Sequence, residues 1–213
     1  MVRRYDLQVH TDASPCSRAT PQDVVDAALA AELDGIAITN HDTLDGYEEV
    51  NALAPKELTV IPGVEVTTSK GHLLALDVNE VPVKADPLTV IADIHGQNGV
   101  AVLSHPFDKL REHYTEDLDE IAEYVDGVEV TNSRCVFPWH NRNARSFAET
   151  YELAITGGSD AHFPMEVGRA YTLCDRPIRD AIREGDTDTG GRGGYLSGHI
   201  ATKLNDVLTL LNV

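Results

Sequence analysis

Tyr5-Asp6-Leu7-Gln8-Val9-His10 reads as a buried strand that ends on a histidine. The arrangement returns along the chain. Gly35-Ile36-Ala37-Ile38-Thr39 runs into Asn40-His41-Asp42, and Leu58 to Val66 contains Gly63-Val64-Glu65. Val100-Ala101-Val102-Leu103 runs into Ser104-His105-Pro106, and Leu153-Ala154-Ile155-Thr156 into Gly158-Ser159-Asp160-Ala161-His162. Amphipathic helical stretches separate these apolar runs, which is the pattern of a parallel sheet built from βα units. Histidines and carboxylates delivered to one point from successive strand ends are how a (β/α) barrel builds a metal-hydrolase site.

The punctuation between strands agrees. Thr20-Pro21 opens a helix to about Glu32, with threonine as N-cap and proline in the first turn. Short helices are expected over Asp45 to Leu53 and Glu116 to Tyr124, and longer ones from Asp86-Pro87 to Gly96 and from Asn141 to Tyr151. Pro62-Gly63 interrupts the third strand, His72 to Leu76 is placed to pair with it as a hairpin, and Gly127 to Val130 is a sixth strand. Ala170 to Leu173 reads as an edge piece. The Gly-rich stretch 185–198 reads as a mobile surface loop, because no strand precedes Gly190, Gly191, Gly193 and Gly194 as a phosphate-cradling loop requires. A C-terminal helix is expected over 200–211, and no repeat or second domain interrupts 1–213.

The 213 residues suffice for one full core. The N-terminus lacks the pattern of a signal peptide and no apolar run approaches the roughly 18 residues of a membrane span, so a cytoplasmic protein is expected. Three cysteines at irregular spacing argue against a disulfide framework; Cys135 and Cys174 read as small buried hydrophobes. The net charge is -18, from 35 acidic against 17 basic residues, with the acids dispersed and lysines few. Such a surface suits a salty cytoplasm, where ions screen self-repulsion, and an acidic halophilic protein is expected. Without a basic stripe, duplex nucleic acid is disfavoured as a partner, though a single phosphate or a short oligonucleotide can still meet a local arginine pocket.

His10, His41, Glu65, His105, Asp160 and His162 therefore form the candidate metal set, whereas His95, His113, His140 and His199 fall in helices or loops and stay outside it. The motifs Asp6-Leu7-Gln8-Val9-His10, Asn40-His41-Asp42, Gly63-Val64-Glu65, His72-Leu73-Leu74, Ser104-His105-Pro106 and Gly158 to His162 together resemble the PHP (polymerase and histidinol phosphatase) family over nearly the whole chain. The resemblance implies an α/β fold, a distorted (β/α)7 TIM-like barrel. It implies two or three divalent cations (Zn, Mn or Fe) and hydrolysis of phosphate esters by a hydroxide shared between two of them. It implies that His10, Glu65 and Asp160 hold a first metal. Glu65 would bridge to a second with His72 and His105, and His41 with His162 would hold a third. His41, Glu65, His105 and Asp160 are then the catalytic set.

Three positions depart from the pattern. Gln8 stands where the family has histidine, which weakens the first site. Asn40 replaces an aspartate and removes a negative charge. Pro15 and Cys16 stand where the third metal usually gains a histidine or aspartate, leaving Cys16 or Asp12 as stand-ins. Arg18 and Arg134 are the expected phosphate-binding residues, with Arg142 behind them. The substrate is expected to be a small phosphorylated molecule or an oligonucleotide end. Gln8 and Asn40 also keep open a non-catalytic metal-binding module, and metal-dependent amide or ester hydrolysis stands third.

Overall fold

A computed structural model describes residues 1–194. The strands are β1 (Arg3–Val9), β2 (Gly35–Ile38), β3 (Thr59–Thr67), β4 (His72–Leu76), β5 (Val100–Leu103), β6 (Gly127–Asn132), β7 (Ala154–Gly158), β8 (Ala170–Cys174) and β9 (Asp188–Gly191). The helices are α1 (Pro21–Ala30), α2 (Tyr47–Leu53), α3 (Pro87–Gly96), α4 (Leu118–Ala122), α5 (Pro138–Tyr151) and α6 (Ile178–Arg183). Local chemistry fixes their starts. Thr20 accepts from Asp23 N while the Asp23 side chain returns a bond to the Thr20 backbone, and Asp86 caps α3 by accepting from Leu88 N and Thr89 N.

The sheet runs β7-β6-β5-β4-β3-β2-β1-β8-β9. The seven expected strands are β1 to β7, and β1, β2 and β3 pair in parallel, as do β5, β6 and β7. Pro62-Gly63 does not break β3: its backbone continues, and Gly63 pairs with Leu76 of β4. β4 lies antiparallel to both β3 and β5. That reversal matters, because it brings the first residue of β4, His72, to the end of the sheet where the other strands finish.

The sheet curls until β7 returns to β1. Ala161 bridges Val9, His10 N donates to Ala161 O at 2.9 Å, and Gly157 N donates to Thr172 Oγ1 of β8 at 2.8 Å. The result is a nearly closed, barrel-shaped α/β sheet. Tyr5, Leu7, Ile61, Leu76 and Val100 bury one end together with Ile178, Ala181 and Ile182, so α6 stops the end opposite the strand C-termini. α3, α4 and α5 cover the outside of β3 to β6 through a continuous apolar cluster.

Three sequence expectations need correction. β8 is not an edge, because it sits between β1 and β9. The Gly-rich stretch is not wholly a loop: β9 pairs antiparallel with β8, and a Cβ on Gly190 would lie 2.4 Å from the Tyr171 ring, so the missing side chain is what lets this strand lie flat. α6 was not expected at all. The remainder of the stretch from 195 and the expected helix over 200–211 lie outside the described residues. No helix among the described residues is long and apolar enough to cross a membrane.

Candidate metal centre

Glu65 is the hub. One carboxylate oxygen, Oε1, lies 3.1 Å from His72 Nδ1 and 3.1 Å from His105 Nε2. The other, Oε2, lies 3.2 Å from His10 Nε2 and 3.4 Å from His41 Nδ1. Asp160 Oδ1 approaches the same His10 nitrogen at 3.4 Å. His162 stacks obliquely on His10 with ring centroids 4.4 Å apart and lies 6.3 Å from His41. The seven expected ligands therefore come together at the C-terminal mouth of the barrel.

Their ligand atoms fall into overlapping triads: His10 with Glu65 and Asp160, Glu65 with His72 and His105, and His10 with His41 and His162. The first two match the expected sets. In the third, His10 is the additional member; neither Cys16 nor Asp12 belongs to it.

The backbone turns hard to achieve this. His105 has φ 30 and Asp160 φ 56, both in the left-handed region, immediately after β5 and β7. For histidine such a conformation costs on the order of 1–3 kcal/mol and persists where surroundings enforce it, as at functional sites. Here His105 N donates to Glu129 Oε2 at 3.0 Å, and Asp160 is tied to Asn132 Nδ2 and Arg111.

A cation fits the donor set. His10 Nε2 and His72 Nδ1 are buried and make no hydrogen bond, although each stands close to a carboxylate oxygen. Near contacts without a shared proton are what ligands aimed at a common ion produce. Burial opposes charge on Glu65, but His41, His72, His10 and His105 outweigh it and hold the carboxyl well below its ordinary range. Burial likewise opposes ionisation of Asp160, and Arg111 with His10 and His162 reverses the balance. Burial alone would lower the His10 pKa; the Asp160 and Glu65 carboxylates beside it overcome this and push it up to about 9. Burial, with His10 and Arg134 nearby, drives His162 well below the usual imidazole value, and burial with Arg111 lowers His105. His162 and His105 are thus held in the neutral, ligating form facing ionised carboxylates. His10, raised against burial by Asp160 and Glu65, and His72, raised against burial chiefly by Glu65, must release a proton as a cation binds.

Gln8 is buried beside this cup. Its Oε1 stands 3.4 Å from Ser104 Oγ and 3.3 Å from Asn132 Nδ2, while its Nε2 is buried without a hydrogen bond. Asn40 is different: its amide is fully used. Oδ1 accepts from Thr11 N at 2.8 Å and Ser14 Oγ at 2.9 Å, and Nδ2 donates to Asp45 O at 2.8 Å. A carboxylate cannot donate that last bond, so Asn40 pins two loops together and is not a missing ligand.

Arg134 is buried near His162 and Glu166: its charge adds to the burial that lowers His162 and offsets part of the burial that raises Glu166. Arg18 is exposed, and its backbone N donates to His162 O at 3.0 Å, which fixes its position at the rim. The arginine that sequence reading missed is Arg111, in the segment after β5. It bonds Asp160 through Nη1, Asn132 Oδ1 through Nη2 at 3.2 Å, and Asp108 Oδ2 through Nε at 2.9 Å. The only signal was the Asp108-x-x-Arg111 spacing after His105-Pro106, which an ordinary loop also carries.

The mouth of the barrel gathers His10, His41, Glu65, His72, His105, Asp160 and His162 at one point, the arrangement that the resemblance to the PHP family implies. The chain belongs to the PHP family. A family profile described as PHP-associated matches residues 138–187. The uncharacterized protein MJ0417 of Methanocaldococcus jannaschii is 33% identical over 174 residues, covering 79% of this chain and 69% of the relative. A Bifidobacterium adolescentis protein assigned as a metal-dependent phosphoesterase superposes with a TM-score of 0.64 at 21% identity, over 76% of this chain and 88% of that one. Endonuclease Q in complex with a 27-mer duplex bearing an abasic lesion superposes with a TM-score of 0.65 at 15% identity, over 91% of this chain and 60% of that one. That protein was captured with a duplex, so the expectation that a duplex is disfavoured here gains no support from the comparison.

Proposed function

We propose that the protein is a metal-dependent phosphoesterase that hydrolyses a small phosphorylated substrate or an oligonucleotide end. The observation that carries this reading is Glu65, whose two carboxylate oxygens each face two imidazole nitrogens at 3.1 to 3.4 Å. A carboxylate so surrounded would offer one oxygen to each of two cations. In this reading His10, Glu65 and Asp160 hold a first cation, Glu65, His72 and His105 a second, and His41 with His162 a third. Imidazole with carboxylate donors suits Zn, Mn or Fe. Bound there, the ions would polarise the phosphoryl oxygens and lower the pKa of a water to make a nucleophile at neutral pH.

The chain's own groups do the rest. Glu65 and Asp160 remain ionised in spite of burial, so the cup keeps its negative charge. His41, with 30% of its side chain accessible, is the most exposed of the histidine set and meets the incoming ester first. Arg134 and Arg18 supply fork-shaped donors for the phosphate, Arg134 from within the cup and Arg18 from the rim. Only α3 lies between β4 and β5, so no added helical module stands over the mouth there to select a large substrate.

The test is direct. Metal-free protein given Mn or Zn gains phosphatase activity on an aryl phosphate, and His105→Ala loses it by at least about a hundredfold, as expected when a metal ligand goes. Activity that survives this substitution or a chelator defeats the reading.

The orphaned Gln8 amide favours a second reading, a weakened or non-catalytic metal-binding module. Gln8→His separates the two. In the enzyme reading the change tightens metal binding about tenfold and adds to existing turnover. In the module reading it creates turnover where the natural chain has none.

A further inference from the structure

Beyond the cup, Asp108, Cys135 and His140 meet, their ligand-type atoms all within 4.8 Å of one another. They come from three places: the turn after His105, the segment after β6 and the first turn of α5. All three are buried, at 0%, 2% and 3% relative exposure. His140 Nδ1 lies 3.0 Å from Asp108 Oδ1 yet makes no hydrogen bond. Two polar atoms this close without an aligned hydrogen bond leave both open to a shared partner.

The surroundings hold this arrangement. The rings of Phe137 and Trp139 meet the His140 imidazole edge-on at 5.7 and 5.9 Å, which fixes its plane. Burial lowers the His140 pKa, leaving the imidazole neutral with a lone pair to offer. The other Asp108 oxygen, Oδ2, accepts from Arg111 Nε at 2.9 Å, and Arg111 Nη2 lies 3.7 Å from Cys135 Sγ. Burial pushes the Cys135 thiol up and Arg111 opposes this without overcoming it, so the thiolate forms only as a cation takes the sulfur.

We propose that Asp108, Cys135 and His140 form a separate site for a thiophilic divalent cation of the zinc type. One sulfur, one imidazole nitrogen and one carboxylate oxygen are a zinc donor set, and three protein ligands leave a fourth position for water. The cup triads contain no sulfur, so the two sites differ in chemistry. On binding, the Cys135 thiol gives its proton to solvent as the Sγ–metal bond forms. Arg111 links the sites, since it touches Asp108 and Cys135 on one side and Asp160 on the other.

Cobalt(II) titration of the metal-free protein tests this through thiolate-to-cobalt charge-transfer absorption in the near-ultraviolet, read with bound-metal stoichiometry. The natural chain develops the band. Cys135→Ser loses the band and one bound equivalent, and His140→Ala weakens the band-forming site about tenfold or more. Cys16→Ser and His105→Ala keep the band, so loss of phosphatase activity alone has no bearing on the result. No band in the natural chain, or a band that persists in Cys135→Ser, overturns the proposal. If Cys135→Ser fails to fold, Asp108→Asn and His140→Ala report on the same site, and unchanged cobalt affinity and stoichiometry in both overturn it equally.

Discussion

Asp6 sits behind the cup and ties its walls together without facing a ligand. Its carboxylate accepts from Ser159 N at 2.8 Å, Gly168 N at 2.8 Å and Gln8 N at 3.3 Å. Burial outweighs these bonds and raises its pKa from 3.8 to about 6. Between those pH values the folded chain keeps a proton that the unfolded chain has released. The stability Asp6 lends is therefore complete below about pH 4 and is lost as the pH rises through 6. A shift of this size corresponds to about 3 kcal/mol. Urea denaturation of the metal-free protein in pH steps should show a decline across this window that is shallower in Asp6→Asn, the rest coming from Glu129 and Glu166, which burial also raises. An equal slope in both proteins removes Asp6 as a source of it.

Among the elements, the seam between β7 and β1 controls whether the cup closes. A Cβ on Gly158 would lie 2.8 Å from Gln8 Cβ, 2.9 Å from Gln8 N and 2.9 Å from Glu129 Oε1. Glu129 and Gln8 are themselves buried, so neither can move aside freely. Gly158→Ala should cost about 1–3 kcal/mol, the range for overpacking, and should push Asp160 away from His10. Denaturant midpoints in chelator measure the first effect and metal affinity the second; a variant with natural values for both would show that the seam has slack.

The strand ends were legible in the sequence because an apolar run followed by Asn40-His41, Ser104-His105-Pro106 or Gly158-Ser159-Asp160 changes character within one or two residues. What escaped was of another kind. α6 is six residues long, too short for a periodic pattern, and β9 is a strand whose glycines read as a loop. Arg111 meets Asp160 across 49 positions of sequence. His140 lies in a helix, as expected, but that placement conceals its approach to Asp108. Periodicity reports which face an element buries; it carries no information about which distant side chain is met there.

For the whole molecule the dominant physical fact is charge: 35 acidic against 17 basic residues. Several of the basic groups are committed to local pairs, such as Arg176 with Glu184 and Asp186, Arg179 with Asp77, and Lys84 with Asp42. The remaining excess is dispersed, so the compact state repels itself while the expanded chain, with its charges farther apart, is relieved. Ions reverse this preference by shortening the reach of each charge, from about 10 Å at 0.1 M salt to about 3 Å at 1 M. We infer that the metal-free protein becomes more stable as KCl rises over this range, with each kcal/mol gained raising Tm by about 2–4 °C for a chain of this size. Chelator must be present, because a cation in the cup would mask the effect through its own binding energy. The same curve in a sulfate salt separates screening from surface exclusion, since sulfate strengthens burial in proteins of any charge. A Tm that rises with KCl supports adaptation to a salty interior; a flat or falling Tm in KCl, with a rise only in sulfate, means that the acidic surface imposes no folding penalty for salt to relieve.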